Sequence, residues 1–294
     1  MTNRLVFGTV QLGMAYGISN KIGKPDINSV CDLVKTAFDQ GITRFDTAQA
    51  YGDSEEVLGR VFDRLKVGAQ VKVYSKLHPK LDCCNQESVQ KSVDDSLFKL
   101  GVERLEGLFL HHEDQMRFWD KGLSAVLRNL CIQGKIKSIG ASFYTPQKAL
   151  VTLEKDAIDM IQVPANILDR RFEDAGVFQK AQERNKKVFV RSIFLQGLLL
   201  MPLDGVPESM KQALPFLQQI DQTAHAMKLT RQELVLGYAA QEWPGSFVVF
   251  GAEDSRQVLD NVRAFSSKAV FKFDKNIFKN IPENILNPML WPKL

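Results

Sequence analysis

Eight short runs of strand-forming residues, separated by stretches of helical periodicity, limit most strongly what this chain can fold into. The runs are Arg4–Gly8, Thr43–Asp46, Lys72–Lys76, Gly107–His111, Ile136–Ser142, Met160–Val163, Lys187–Ser192 and Phe247–Phe250. Several are apolar throughout, the pattern of parallel strands covered on both faces. Between them, Val30–Gln40 places Val30, Val34, Ala37 and Phe38 at helical spacing and stops at Gly41. Glu87–Leu100 repeats the device with Val89, Val93, Leu97 and Leu100 before Gly101. Ser54–Leu65 opens on Ser54, which reads as an N-cap, with acids in the first turn. Such alternation closes into a barrel or spreads into a doubly wound sheet. The strand count favours the barrel, and so does the lack of a G-x-G-x-x-G turn after the first strand. The expected class is therefore α/β, a (β/α)8 TIM barrel forming a single domain over residues 1–294. Residues 267–294, with Phe271, Phe273, Ile277, Phe278 and Trp291, read as an apolar tail. That tail is expected to pack on the barrel near its mouth or against a partner subunit.

The bulk properties remove several function classes. The 294 residues suit one barrel, a fold of about 250 residues. No apolar run reaches the ~20 residues of a membrane helix, so no membrane partner is expected. The N-terminus shows no signal-peptide core, which reads as cytoplasmic. The net charge of +4 is spread along the chain without a basic block, which argues against nucleic acid. Cys31, Cys83, Cys84 and Cys131 form no C-x-x-C pair and read as free thiols; the vicinal Cys83-Cys84 reads as two plain loop thiols before it reads as a redox switch.

The chemistry gathers at strand ends. Asp46, Lys76 and His111 close the second, third and fourth runs, and Tyr51 follows the second. Neighbouring strands lie about 4.8 Å apart, so these side chains can converge. Reduction of a carbonyl by hydride transfer builds negative charge on oxygen, and a proton must be supplied there. A Tyr phenol beside a Lys ammonium becomes a better acid. Asp46 would keep Lys76 charged and oriented, and His111 would orient the carbonyl oxygen. The run His111-His112-Glu113-Asp114 invites a metal reading, but adjacent residues on a strand point opposite ways, and no metal is expected. Gly17–Lys24 has the wrong spacing for a phosphate-binding P-loop, and Pro25 stands where Ser or Thr is required.

Gly41–Glu55, with its Phe45-Asp46-Thr47-Ala48 strand end and Tyr51-Gly52, resembles the best-known signature of the aldo-keto reductases. Ser75-Lys76-Leu77, Leu108–His111, Gln196–Leu199, Gly251-Ala252 and Gln257–Asn261 are similar to further motifs of that family, in order, over about Phe7 to Phe265. The resemblance implies an NAD(P)H-dependent carbonyl reductase, with Tyr51 as general acid and Lys76, Asp46 and His111 assisting. It implies NADP(H) as the preferred cofactor and NAD(H) as the alternative. Ser142 and Gln162, with Asn166 nearby, would hold the carboxamide. Arg191, Ser192, Leu195 and Gly197 would cover the ring and pyrophosphate, Gly251 would lead the phosphates to a helix N-terminus, and Gln257 and Asn261 would face adenine.

Three departures from the family pattern bear on the cofactor. Phe143 follows Ser142 where an Asn is usual. Arg191 replaces an aromatic that stacks on nicotinamide, and its charge would disfavour the oxidised ring. Glu253 stands where a basic residue often meets the 2′-phosphate, with Arg256 close enough to replace it. Tyr16, Trp119 and Phe143-Tyr144 are candidate walls for a small carbonyl substrate, and Arg170 and Arg171 could attract an acid group. A monomer and a homodimer are both compatible. A nucleotide-sensing or channel-associated subunit with weak or no turnover is the second reading; the intact four-residue set and the absence of a long N-terminal extension argue against it.

Overall fold

The computed structural model describes residues 2–267 and 274–291. Its centre is a closed, all-parallel barrel in sequential order, β1 to β8. The strands are β1 (Leu5–Gly8), β2 (Arg44–Asp46), β3 (Lys72–Leu77) and β4 (Gly107–Leu110), then β5 (Ile139–Ser142), β6 (Met160–Pro164), β7 (Lys187–Arg191) and β8 (Phe247–Phe250). All eight match the expected runs, with ends that differ by a few residues. The largest difference is at β5, where Ile136 makes only an isolated bridge to Leu105.

Each connection carries helix. Ile27–Asp39 is capped by the Asp26 carboxylate, and Gln86–Leu100 is capped by Asn85 and closed by Gly101 in the left-handed region. Ser54–Leu65 departs from the sequence reading, because its N-cap is Asp53 and Ser54 is its first residue. The Ser54 hydroxyl is buried and shares hydrogen bonds with Thr9 Oγ1 (2.9 Å) and Thr47 Oγ1 (3.0 Å). A tertiary partner has displaced the local cap that this residue type favours.

The barrel interior is filled by a small apolar layer of Val6, Tyr74, Phe109, Met160, Phe189 and Val249. A larger core lies between the strands and the helices, where Phe7, Phe45, Phe62 and Phe250 pack edge to face. The tail contributes Phe278, Ile285 and Leu286 to that core, while Ile277 and Trp291 are half-buried against it. Lys275 fixes the start of the tail, donating to Glu173 (3.2 Å) and pairing with Glu242, while Arg170 donates to the Lys275 carbonyl (3.0 Å). Phe271 and Phe273 lie outside the described residues. Among the described residues no helix is long and apolar enough to cross a membrane.

Candidate active site

Side chains two apart on a strand share a face, so the interior layer fixes what lies above it. Two residues beyond Val6, Tyr74, Phe109, Met160, Phe189 and Val249 come Gly8, Lys76, His111, Gln162, Arg191 and Gly251. All six line one cleft at the C-terminal ends of the strands, of about 860 Å³. Asp46 and Ser142 join them from β2 and β5, and Tyr51 from the loop after β2. The Tyr51 loop is set by backbone contact. Gly52 has φ +58°, and a Cβ there would lie 2.3 Å from the Gly13 carbonyl oxygen, so the turn needs glycine.

The polar centre is a connected chain. Lys76 Nζ donates to Asp46 Oδ2 (2.6 Å) and to the Thr47 carbonyl (2.9 Å). The Gln162 amide donates to Asp46 Oδ1 (2.8 Å), which leaves Gln162 Oε1 buried without a partner. The Lys76 ammonium lies 4.9 Å from the centre of the Tyr51 ring. That ring meets His111 edge to face, with centroids 5.6 Å apart at 89°. The sequence reading expected Lys76 to make Tyr51 more acidic. Instead burial, followed by the Asp46 charge, holds the phenol well above its usual value, and Arg191 offsets part of this. Burial also lowers the Lys76 pKa, against the pull of Asp46. His111 is pushed down to about 3 by burial, then by Lys76 and Arg191, so its imidazole is neutral at neutral pH; its Nδ1 is buried without a partner.

Beyond this centre the cleft continues over β7 to the end of β8. Arg191 lies over the Tyr144 ring, 4.3 Å from its centre, and donates to the Phe143 carbonyl (3.3 Å). Ser192, Leu195 and Gln196 all have left-handed φ, a concentration of backbone strain of the kind found at ligand sites. Asn166 supports this segment by donating to the Ser192 carbonyl (3.1 Å), while Gln196 accepts from Ile18 N (3.0 Å). At the far end the helix Ser255–Ser266 starts from Asp254, whose carboxylate accepts from Gln257 N (2.7 Å). Asn261 is buried there and accepts from Gln232 (2.6 Å).

Of the residues singled out in the sequence, Tyr16, Asp46, Tyr51, Lys76, His111, Ser142, Tyr144, Gln162, Arg191, Ser192, Gly197, Gly251, Gln257 and Asn261 line the cleft. Several do not. Trp119 is buried in the outer core within the turn Glu113–Lys121, and Phe143 is fully buried in the same core, so neither is a wall. Leu195 is buried behind the β7 segment, and Asn166 faces the backbone that it supports. Arg171 is spent on Asp169 (2.9 and 2.8 Å), and Arg170 on the tail. Arg256 is 90% exposed, pairs with Asp260 and lies outside the cleft lining. Gln11, Lys21, Asp204, Gln232, Pro288 and Met289 also line it, from loops, helix and tail; no periodicity marks them in the sequence.

His112, Glu113 and Asp114 serve structure. His112 caps the turn that follows β4. Glu113 accepts from Tyr144 N (2.9 Å) and Thr145 N (3.0 Å), which positions the Tyr144 wall. Among the described residues no three His, Cys, Asp or Glu side chains gather as a metal site. Cys83 is buried and its pKa is raised, first by burial, while Cys84 is exposed.

A family model described as the aldo/keto reductase family matches residues 4–282. The chain is similar to the L-glyceraldehyde 3-phosphate reductase of Escherichia coli K12, at 24% identity over 83% of this chain and 82% of that protein. It is 26% identical to the NADH-specific methylglyoxal reductase of the same strain, over 83% of this chain and 85% of the other. Its fold is similar to that of an aldo/keto reductase from Klebsiella pneumoniae solved in complex with NADP and acetate. The TM-score is 0.68 at 19% identity, covering 91% and 87% of the two chains.

Proposed function

We propose that the chain, which belongs to the aldo/keto reductase family, reduces the carbonyl of a small aldehyde or ketone to an alcohol, with Tyr51 as its proton donor. The observation that carries this reading is the chain Gln162–Asp46–Lys76 beside the Tyr51–His111 ring pair, all in one cleft. The residues present fit a nicotinamide cofactor. Gln162 Oε1 is a buried acceptor with no partner in a cleft wall, and an amide N–H₂ is the group that it lacks. When bound, the nicotinamide supplies the hydride.

The chain's own residues handle the proton. The high pKa of Tyr51 keeps the phenol protonated until charge develops on the substrate oxygen. Once the proton has left, the Lys76 ammonium beside the ring and the Arg191 guanidinium stabilise the tyrosinate. Asp46 and the Thr47 carbonyl hold Lys76 in place. His111, neutral because its pKa lies near 3, contributes a hydrogen bond that orients the carbonyl without competing as an acid. Tyr16 and Tyr144 supply aromatic walls. The relatives admit either cofactor, since one solved structure of like fold holds NADP and one curated relative is NADH-specific.

The test is loss of reduced-cofactor absorbance with a panel of aromatic, aliphatic and sugar aldehydes, comparing the wild type with Tyr51→Phe. Turnover should fall by about a hundredfold or more in the variant, with cofactor affinity nearly unchanged. Near wild-type turnover by Tyr51→Phe would remove it as the acid. Wild-type inactivity with both cofactors on every aldehyde would overturn the reductase reading.

A further inference from the structure

We propose that the far end of the cleft is built for an unphosphorylated ribose, so that this chain takes NAD(H) in preference to NADP(H). The inference rests on the reading that the cleft holds a nicotinamide dinucleotide. The sequence alone leaves the choice to Glu253 and Arg256, two residues of opposite charge near the same position. The structure separates them.

Glu253 lines the cleft together with Gln257, Asp260 and Asn261, and Gln232 faces them. Arg256 does not line it. Its side chain is 90% exposed, and its Nε lies 3.8 Å from Asp260 Oδ2. Arg263 is also turned outward and pairs with the same aspartate at 3.4 Å. Both basic residues of this helix are thus exposed at the rim beside Asp260, outside the cleft lining. Glu253 is fixed from below, because its backbone N–H donates to Gln257 Oε1 (2.9 Å) and Gln257 N donates to Asp254 Oδ1 (2.7 Å).

The cations that do line the cleft are placed elsewhere. Lys76 is locked to Asp46, and Arg191 is stacked on Tyr144 beside the proton-transfer centre. Lys21 lies on the loop whose Ser19 packs against Gly197, in the middle stretch where a pyrophosphate would pass. A second nucleotide seated at the far end thus meets carboxylates and amides. Ribose hydroxyls donate to a carboxylate, which is how acidic residues select the unphosphorylated dinucleotide. A 2′-phosphate would bring a second anion beside Glu253, with Asp254 and Asp260 adjacent and no inward-facing basic residue on this helix to answer it.

The experiment is equilibrium titration of the purified chain with NADH and with NADPH, read by quenching of Trp fluorescence, without substrate. NADH should bind at least about tenfold more tightly. Glu253→Arg should reverse the order. Arg256→Ala should leave the ratio of the two affinities unchanged, and Lys21→Ala should weaken both cofactors alike. Equal or tighter binding of NADPH by the wild type would overturn the inference while leaving the dinucleotide reading intact. So would a loss confined to NADPH in Arg256→Ala or Lys21→Ala, which would assign the 2′-phosphate to that residue. Binding of neither cofactor would overturn the dinucleotide reading, and the inference with it.

Discussion

Lys76→Met tests whether the centre of the cleft is a desolvated ion pair. The Lys76 and Asp46 side chains are 1% and 5% exposed, and their charged atoms are 2.6 Å apart. Methionine keeps the length and packing of the lysine stem but removes the ammonium. The Asp46 carboxylate is then left with the Gln162 amide at 2.8 Å and no cation. Removing one partner of a buried pair costs about 3–5 kcal/mol, because the remaining charge is uncompensated. Unfolding entropy of about 2.1 cal/mol/K per residue over this chain gives roughly 0.6 kcal/mol/K, so the midpoint should drop by about 5–8 °C. Pairing Lys76→Met with Asp46→Asn removes both charges and should recover more than half of the loss, a coupling of at least ~2 kcal/mol. The assay is thermal unfolding of the wild type, both single variants and the double variant at neutral pH. A drop below ~2 °C for Lys76→Met, or strictly additive variants, would show that the pair is solvated and that Asp46 does not hold the lysine in place.

Two further predictions concern the charges around Tyr51. His111 has its pKa lowered from 6.5 to about 3, so between these values the unfolded chain takes up a proton that the folded chain refuses. Stability should therefore fall on acidification through that window, by about 5 kcal/mol at full strength and ~2 kcal/mol once the open cleft is allowed for. His111→Gln should flatten this limb in urea midpoints taken at pH 7 and pH 4; an unchanged slope would show that the imidazole titrates freely. Arg191 carries its charge beside the site assigned to the nicotinamide ring. Calorimetry should show tighter binding of the reduced cofactor than of the oxidised one, with the ratio shrinking by about tenfold in Arg191→Gln; an unaltered ratio would place the guanidinium away from the ring.

The barrel was legible because its strands are buried on both faces and stand out as apolar runs between helices closed by residues such as Gly101. Strand ends were less so, since pairing decides them. Ile136 reads as strand by composition, yet it sits where β5 has only an isolated bridge to its neighbour. Ser54 misled for a related reason. A serine ahead of two glutamates matches an N-cap, but Thr9, far away in sequence, holds its hydroxyl. No local pattern contains that partner.

The site divides the same way. Residues on strands could be placed by counting in twos, and Asp46, Lys76, His111, Gln162 and Arg191 all lie in the cleft lining. The alternation carries past the end of β5: Ser142 lines the cleft, Phe143 turns into the core and Tyr144 returns as the wall. Phe143 misleads when it is read as a neighbour of Ser142 and not by its face; Glu113 holds the turn by accepting from the backbone N–H groups of Tyr144 and Thr145.

Glu253 and Arg256 show a third limit. Both are legible as departures at the cofactor end, and their net charge is zero, so composition cannot decide which of them a ligand would meet. Side-chain placement can. Gln257, Asp260 and Asn261 line the cleft, while Arg256, on the same helix stripe as Asp260, points out to solvent and is 90% exposed. Its guanidinium falls within reach of Asp260 at the rim. Glu253 precedes the helix on the turn from β8 and lines the cleft. Two charges that cancel in the sequence therefore do not cancel at the site, and the carboxylate is the one a ligand meets.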